Sequence, residues 1–350
     1  MRIVLTLTLA LSCVSGAPPV AGQAPVAGQA PAARPLDIYI VDVEGGQATL
    51  VVSPSGESML VDSGWPGFEG RDAGRIEAAM RQAGVSRIDY LVATHYHTDH
   101  VGGVPALAAK VPIGTFVDHG PTFENPANPI YTAYLEARKS GKHLQVKPGD
   151  AVPIKGLQVT VVSSGGDSIA TALPGAGAAN PLCAAHEPKP DDPSENARSV
   201  GVVIALGSFR MLNLGDLTWN KEYALACPAN RIGTVDLYLT THHGSDTSGP
   251  SVLVHGVKPR VAIMNNGARK GGSPAAWRIV RDAPGLEDFW QLHTATAAGR
   301  DFNTPDQFIA NLDESTSHAI KVSAAPDGSF TVVNSRNNLT KTYPAGGASR

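Results

Sequence analysis

The chain has 350 residues, 42% of them apolar and 17% charged, with a formal net charge of −3, enough to bury the core of one large α/β domain or two modest ones. Such a composition excludes a disordered chain. The slightly acidic balance and the lack of Lys/Arg runs also exclude a dedicated nucleic-acid-coating surface, which requires many phosphate-neutralising cations, though not a substrate with a single phosphate.

Arg2, an apolar run over residues 3–14, and then small residues with Pro18 and Pro19 follow the order of a secretory signal peptide, expected over residues 1–24 with cleavage after Ala17 or Ala24. A secreted or periplasmic protein is the expectation. Cys13 is an alternative lipidation site, but the Ala-Leu-Ser before it is a poor match to a lipobox. Beyond the leader remain Cys183 and Cys227, which can pair in an oxidising compartment or stay as two thiols. No later apolar run is long enough to span a bilayer.

The hexapeptide PVAGQA occurs twice between Pro19 and Ala30, and residues 25–35 read as a flexible linker. A folded domain is expected over residues 36–335, with a flexible tail over residues 336–350. It opens with three closely spaced strands, over 36–43, 48–52 and 58–62, followed by a helix over 71–83 that Gly84 ends. Further strands are expected over 88–94, 113–118, 157–163, 200–206, 209–214, 235–240 and 261–265, with two more within 319–333. Helices are expected over 102–110, 219–226 and 274–282. Strands and helices alternate. Residues 119–150 and 164–199, rich in Pro, Gly and Ala, read as long insertions over one face.

The apolar strand ending at Thr94 runs into Thr-His-Tyr-His-Thr-Asp-His and then Gly102-Gly103. In an extended segment residues i and i+2 share a face, so His95 and His97 can aim ring nitrogens at one ion about 2.0–2.1 Å away. A turn through Thr98 then lets Asp99 and His100 face a second ion. Two later strand ends deliver matching chemistry: Gly215-Asp216-Leu217, whose carboxylate can bridge two ions, and Thr241-His242-His243-Gly244-Ser245. Either would be inconclusive alone, since Gly-Asp after a strand is commonly a turn. Together they place ligands at three strand ends, where open α/β sheets carry their sites.

With these motifs the chain resembles the metallo-β-lactamase superfamily, and within it the hydrolase domain of ComEC-type competence proteins. VDVEGGQATLVV, MLVDSG, ATHYHTDHVGG, LNLGDL and THHGSDTS are similar to that group's blocks, in order, over residues 36–265. The resemblance implies a single four-layer αββα sandwich with long loop insertions. It also implies His95 and His97 on a first metal, Asp99, His100 and His243 on a second, and Asp216 bridging. His242 would stand beside them as a supporting or substrate-facing group, with His243 preferred as the ligand of the two; Asp99 and His242 are the expected catalytic groups. A third first-metal histidine, usual in the superfamily some two dozen residues before the bridging Asp, has no counterpart: Glu195, Asn196, Arg198 and Ser199 stand there. Asn196, water, or His186 swinging in from the insertion are the alternatives, and His119 is a further rim candidate.

Imidazoles and carboxylates suit one or two zinc ions, with manganese as an alternative. Two divalent ions bring +4, and Asp99, Asp216 and a hydroxide return −3, leaving a centre that favours an anionic substrate. The resemblance leans towards phosphodiesters, or another small molecule, as the partner. A β-lactamase or lactonase of the same fold and a secreted, non-catalytic metal-containing binding module are the rival readings. Asp62 and Ser63 are expected to orient metal-bound imidazoles or merely to end a strand. Tyr96 and Ser245 are candidate donors to substrate, and Asn265, Asn266, Arg269 and Lys270 a candidate anion holder.

Overall fold

The computed structural model describes residues 2–5, 7–10 and 34–346. The expected cleavage zone and most of the linker, within residues 11–33, lie outside the described residues. The unit beginning at Arg34 carries all the regular structure among them.

It opens with β1 (Leu36–Ile40), β2 (Thr49–Val52) and β3 (Ser58–Val61), an antiparallel meander. Helix α1 (Arg71–Ala83) crosses to β4 (Ile88–Val92), which runs parallel to β3. Two short helices, α2 (Thr98–Val101) and α3 (Val104–Ala108), lead to β5 (Ile113–Asp118). The first expected insertion is no bare loop: it holds α4 (Pro129–Arg138) and the edge strand β6 (Lys142–Gln145).

A second sheet then forms from β7 (Gln158–Ser164), β8 (Asp167–Ser168), β9 (Gly201–Leu206) and β10 (Phe209–Asn213). It continues in parallel through β11 (Leu237–Leu239), β12 (Val261–Met264), β13 (Asp288–His293) and β14 (Ile309–Asn311). Its helices are α5 (Trp219–Ala226), α6 (Ser251–Val257) and α7 (Pro274–Arg281). The chain then returns to the first sheet through β15 (Ile320–Ala324), β16 (Phe330–Asn334) and β17 (Thr340–Tyr343). The expected flexible tail is therefore corrected: β17 pairs with β16, and Tyr343 buries its ring against Phe330.

Among the described residues nine strands form one sheet and eight the other, stacked through a shared core to which Ile38, Ile40, Val61 and Val92 contribute from one side and Val202, Ile204, Leu237 and Ile263 from the other. Alternate residues such as Tyr39, Leu50 and Leu91 face outward under α1, α3 and α4. Leu212, Tyr238 and Phe289 do the same under α5, α6 and α7. This is the four-layer αββα sandwich. Because both faces of each sheet are covered, the central strands read as nearly unbroken apolar runs rather than alternating ones. Ile76 and Met80 of α1 are completely buried, and such side chains stabilise by roughly 1.5–3 kcal/mol each.

Candidate metal centre

The carboxyl ends of the parallel strands β4, β10, β11 and β12 supply the site. Beyond β4 the chain stays extended through His97, then enters α2 at Thr98, so Asp99 and His100 project from the first helical turn. Beyond β10, Gly215 has φ +57°, and a Cβ there would lie 2.7 Å from the Thr94 side chain; glycine lets the chain bring Asp216 against the His95 segment. Beyond β11, His242 and His243 both have φ +55°, a conformation that costs non-glycine residues on the order of 1 kcal/mol or more each and that collects at functional sites.

Asp99, His100, Asp216 and His243 are all buried, and one ligand atom from each lies within 4.8 Å of all the others. His100 Nε2 is 3.2 Å from Asp99 Oδ2 and 3.3 Å from Asp216 Oδ2; His243 Nε2 is 3.3 Å from Asp99 Oδ2 and 3.4 Å from Asp216 Oδ1. Ligands at about 2.0–2.1 Å from a tetrahedral ion are separated by ~3.3 Å, so these spacings are those of a coordination polyhedron.

Electrostatics give the same answer. Burial works against charge on His100 and His243, yet the Asp216 and Asp99 carboxylates hold both above the usual imidazole range, with Asp62 adding to the effect on His100. Burial would likewise raise Asp99 and Asp216, and the same histidines hold them well below the usual carboxylate range. The cluster demands positive charge, which protons or a divalent ion can supply. His95 is different: burial first, and then His100 beside it, push its pKa well down, so it stays a neutral donor. The Nε2 atoms of His95, His100 and His243 and Asp216 Oδ1 are buried without a hydrogen-bond partner, rare in folded proteins, and a metal satisfies all four. The residues present fit a divalent ion.

Outer contacts aim these groups. Asp62, fully buried, accepts from Thr94 N at 2.8 Å, Thr94 Oγ1 at 2.7 Å and Gln47 Nε2 at 2.9 Å, and lies 2.7 Å from His100 Nδ1. Gln47 also reaches Asn265 at 3.4 Å, and Asn265 sits 3.2 Å from His243 Nδ1. Gln47 thus links the supports of His100 and His243, a role with no sequence signal beyond its place in the opening strand block. Asn265, expected to hold substrate, supports His243 instead.

His95 rests 4.1 Å from His100 ring to ring and 4.7 Å from His97. His97 stands at the rim, about a third exposed, with Nε2 3.2 Å from Glu124 Oε1. His242 lies beside the buried four rather than among them, Nε2 3.4 Å from Asp216 Oδ2 and Nδ1 near Ser248 and Thr247. Lys270 contacts the Asp99 carboxylate over the Trp65 ring.

Other expectations fail on packing. Tyr96 is buried and donates to Gly120 O, so it does not face substrate. His186 stacks on Tyr223 and Trp219 in the second insertion, and His119 is buried against Glu195 at 2.9 Å. A separate group of metal-capable side chains, Asp42, Glu44 and His293, already holds a cation, Arg75, whose Nη1 is 3.1 Å from Asp42 and 2.9 Å from Glu44.

The model of the metallo-beta-lactamase superfamily matches residues 41–178. Competence protein ComA of Neisseria gonorrhoeae is 25% identical over 205 residues, which are 56% of this chain and 23% of that protein. Recombination protein 2 of Haemophilus influenzae is 22% identical over 230 residues, 65% of this chain and 24% of that protein. The chain thus spans about a quarter of the length of these curated relatives. Among solved structures, the metallo-beta-lactamase fold protein YhfI from Bacillus subtilis superposes with a TM-score of 0.46 at 11% identity, over 74% of this chain and 96% of that one. With the family model over the segment that carries the His-rich motif, and with two stacked sheets bringing His100, Asp216 and His243 to one point, the chain has the fold and the metal-ligand motif of the metallo-β-lactamase superfamily.

Proposed function

We propose that this chain, with the fold of a superfamily of hydrolytic metalloenzymes, is a secreted hydrolase of phosphodiesters, working with one or two zinc ions held by His95, His97, Asp99, His100, Asp216 and His243. The observation that carries the reading is the convergence of Asp99, His100, Asp216 and His243 at 3.2–3.4 Å spacings with their outward nitrogens unpartnered. Held by such a set, zinc ions would supply a water with a pKa of about 7 as nucleophile and would polarise the oxygen under attack.

The chain's own groups do the rest. Asp62 fixes the ring of His100 so that its Nε2 points at the centre, and the Asn265 side-chain amide packs 3.2 Å behind His243 Nδ1. Ser248 Oγ donates to Leu217 O and so accepts from His242 Nδ1–H, which leaves His242 Nε2 an unprotonated base beside Asp216. Burial lowers the pKa of His242 and keeps it neutral. It stands where it can take a proton from the attacking water and return it to the leaving oxygen. Lys270 adds positive charge beside Asp99, which favours an anionic substrate.

Secretion is supported by the N-terminal pattern and by a Cys183–Cys227 disulfide, a bond that persists in oxidising compartments. The test is metal analysis of purified protein with parallel assays on bis-nitrophenyl phosphate and a chromogenic β-lactam. Bound metal with chelator-sensitive phosphodiester turnover is expected. Turnover of the β-lactam alone would replace the substrate assignment, and bound metal without turnover of any ester, lactone or diester would favour the binding-module reading.

A further inference from the structure

The four buried groups complete one metal position, but His95 and His97 share only Asp216 as a further protein ligand for the other. The structure ties one segment, residues 195–200, to His95, to Asp216 and, through Glu124, to His97. Ser199 Oγ is 3.4 Å from His95 Nδ1 and accepts from Asp216 N at 3.3 Å. Val200 N donates to Thr94 O at 2.8 Å, beside His95. At the other end, Glu195 N donates at 3.0 Å to Glu124 Oε1, the same oxygen that faces His97 Nε2.

A second set of bonds locks this segment in place. Glu195 Oε1 accepts from Thr122 Oγ1 and Phe123 N, both at 2.6 Å, and its Oε2 meets His119 Nε2 at 2.9 Å. Glu124 therefore grips the 195 segment while Glu195 grips the 122–123 loop. The two insertions close on each other beside the two histidines. Since His97 Nε2 is spent on Glu124, its lone pair is on Nδ1; since His95 Nδ1 faces Thr94 and Ser199, its free nitrogen is Nε2.

Between these anchors sits Asn196, buried to 9% exposure in a short 3-10 turn, Glu195–Arg198. Its Oδ1 is buried without a hydrogen-bond partner, although its backbone N–H is capped by Ser194. A neutral carbonyl oxygen left bare, on a segment tied to the outer nitrogens of both histidines, is what a metal ligand requires. We propose that the Asn196 side-chain carbonyl is the third protein ligand of the first metal beside His95 and His97, with Glu124 and Ser199 positioning the two histidines. The proposal rests on the metallo-hydrolase reading above and fills the place where the superfamily usually has a histidine.

The chemistry has a consequence. An uncharged amide oxygen is a harder and weaker ligand than imidazole, so the first position binds zinc less tightly than a three-histidine set and tolerates manganese better.

The test uses the full chain and two probes, zinc by competition against a chromophoric chelator and cobalt(II) by its visible absorption. Asn196→Leu, close in shape and without a ligand atom, is expected to weaken the first ion by 10-fold or more and to leave the second ion bound. Asn196→His and Asn196→Asp are expected to tighten zinc at that position by about 10-fold, and the former to change the cobalt spectrum as nitrogen replaces oxygen. His186→Leu, at the rival third-ligand candidate that stacks on Tyr223 and Trp219, is the control and should keep both ions. Wild-type affinity and spectrum in Asn196→Leu, or loss of an ion in His186→Leu with none in Asn196→Leu, would overturn the assignment. If Asn196→Leu does not fold, unchanged zinc affinity in both Asn196→His and Asn196→Asp does so. A wild-type protein that binds neither probe fails the metallo-hydrolase reading itself, a result distinct from these.

Discussion

Asp62 Oδ2 lies 2.7 Å from His100 Nδ1, both side chains fully buried, in a carboxylate–imidazole pair whose other nitrogen faces Asp99 and Asp216. Asp62 itself has φ +59°, and three further donors fix its two oxygens. Of the two sequence readings of this residue, an imidazole-orienting carboxylate and a plain strand end, the structure selects the first.

Removing that carboxylate frees the His100 ring and removes the charge behind it. Asp62→Ala is expected to weaken metal binding by roughly 10–100-fold, and Asp62→Asn, which keeps an acceptor and tolerates positive φ, by less. Chelator competition measures both, and equal affinity in wild type and Asp62→Ala would refute the role.

The two adjacent histidines give a sharper contrast. His243 Nε2 is among the four converging groups, whereas His242 is 17% exposed and held from behind by Ser248 and Thr247. His243→Ala is expected to lose one metal equivalent along with activity. His242→Ala should keep its metal and lose 10²-fold or more in kcat, the scale of a missing proton-transfer group. Metal content of the two variants decides it, and the reverse pattern would exchange the roles.

Much of this was legible in the sequence for one reason. The HxHxDH segment, Asp216 and His243 each follow an apolar run, and parallel strands buried on both faces bring their carboxyl ends to one edge of the molecule. The helix over Arg71–Ala83 and strand Ile113–Asp118 were likewise readable from periodicity and punctuation. What escaped depends on contacts far apart in the chain. Gln47 meets Asn265 across 218 residues, and Glu124 meets Glu195 across 71, with no local pattern to announce either. Strand β17 was missed because TKTY at a sheet edge is polar enough to read as tail; only its pairing with β16 gives it a place.

Glu222 offers a test independent of metal. Its carboxyl is completely buried behind the His242–His243 turn, with Oε2 accepting from Gly249 N at 2.5 Å and Oε1 unpartnered, and burial pushes its pKa up to about 8, the Thr241 hydroxyl and Gly249 amide only partly offsetting this. The folded state therefore keeps its proton while the unfolded chain ionises above about 4.5, so stability present below that pH is lost as pH rises through about 8. Glu222→Gln mimics the protonated acid and escapes the loss. Its stability should match wild type near pH 4 and exceed it by on the order of 3–5 kcal/mol at pH 8.5, because each tenfold difference in proton affinity between the folded and unfolded chain is worth about 1.4 kcal/mol. Urea denaturation at the two pH values measures this, and a difference that does not change with pH would sink it.

The Cys183–Cys227 disulfide closes a loop across a sequence separation of 44 and ties the 3-10 turn Pro181–Ala185 to the end of α5. On chain-entropy grounds the double Cys→Ser variant should lose roughly 3–4 kcal/mol. The metal centre should survive the change, because the segment it would loosen has its own anchors downstream: Trp219 Nε1 donates to Glu187 O at 2.9 Å, Asn220 to Lys189 O at 2.7 Å, and Glu195 and Val200 are bonded to Glu124 and Thr94. Denaturation of wild type with and without reductant, set beside metal content of the double variant, separates the two effects. A lower denaturation midpoint with full metal content is expected. Loss of metal at an unchanged midpoint would mean instead that the disulfide holds the site rather than the fold.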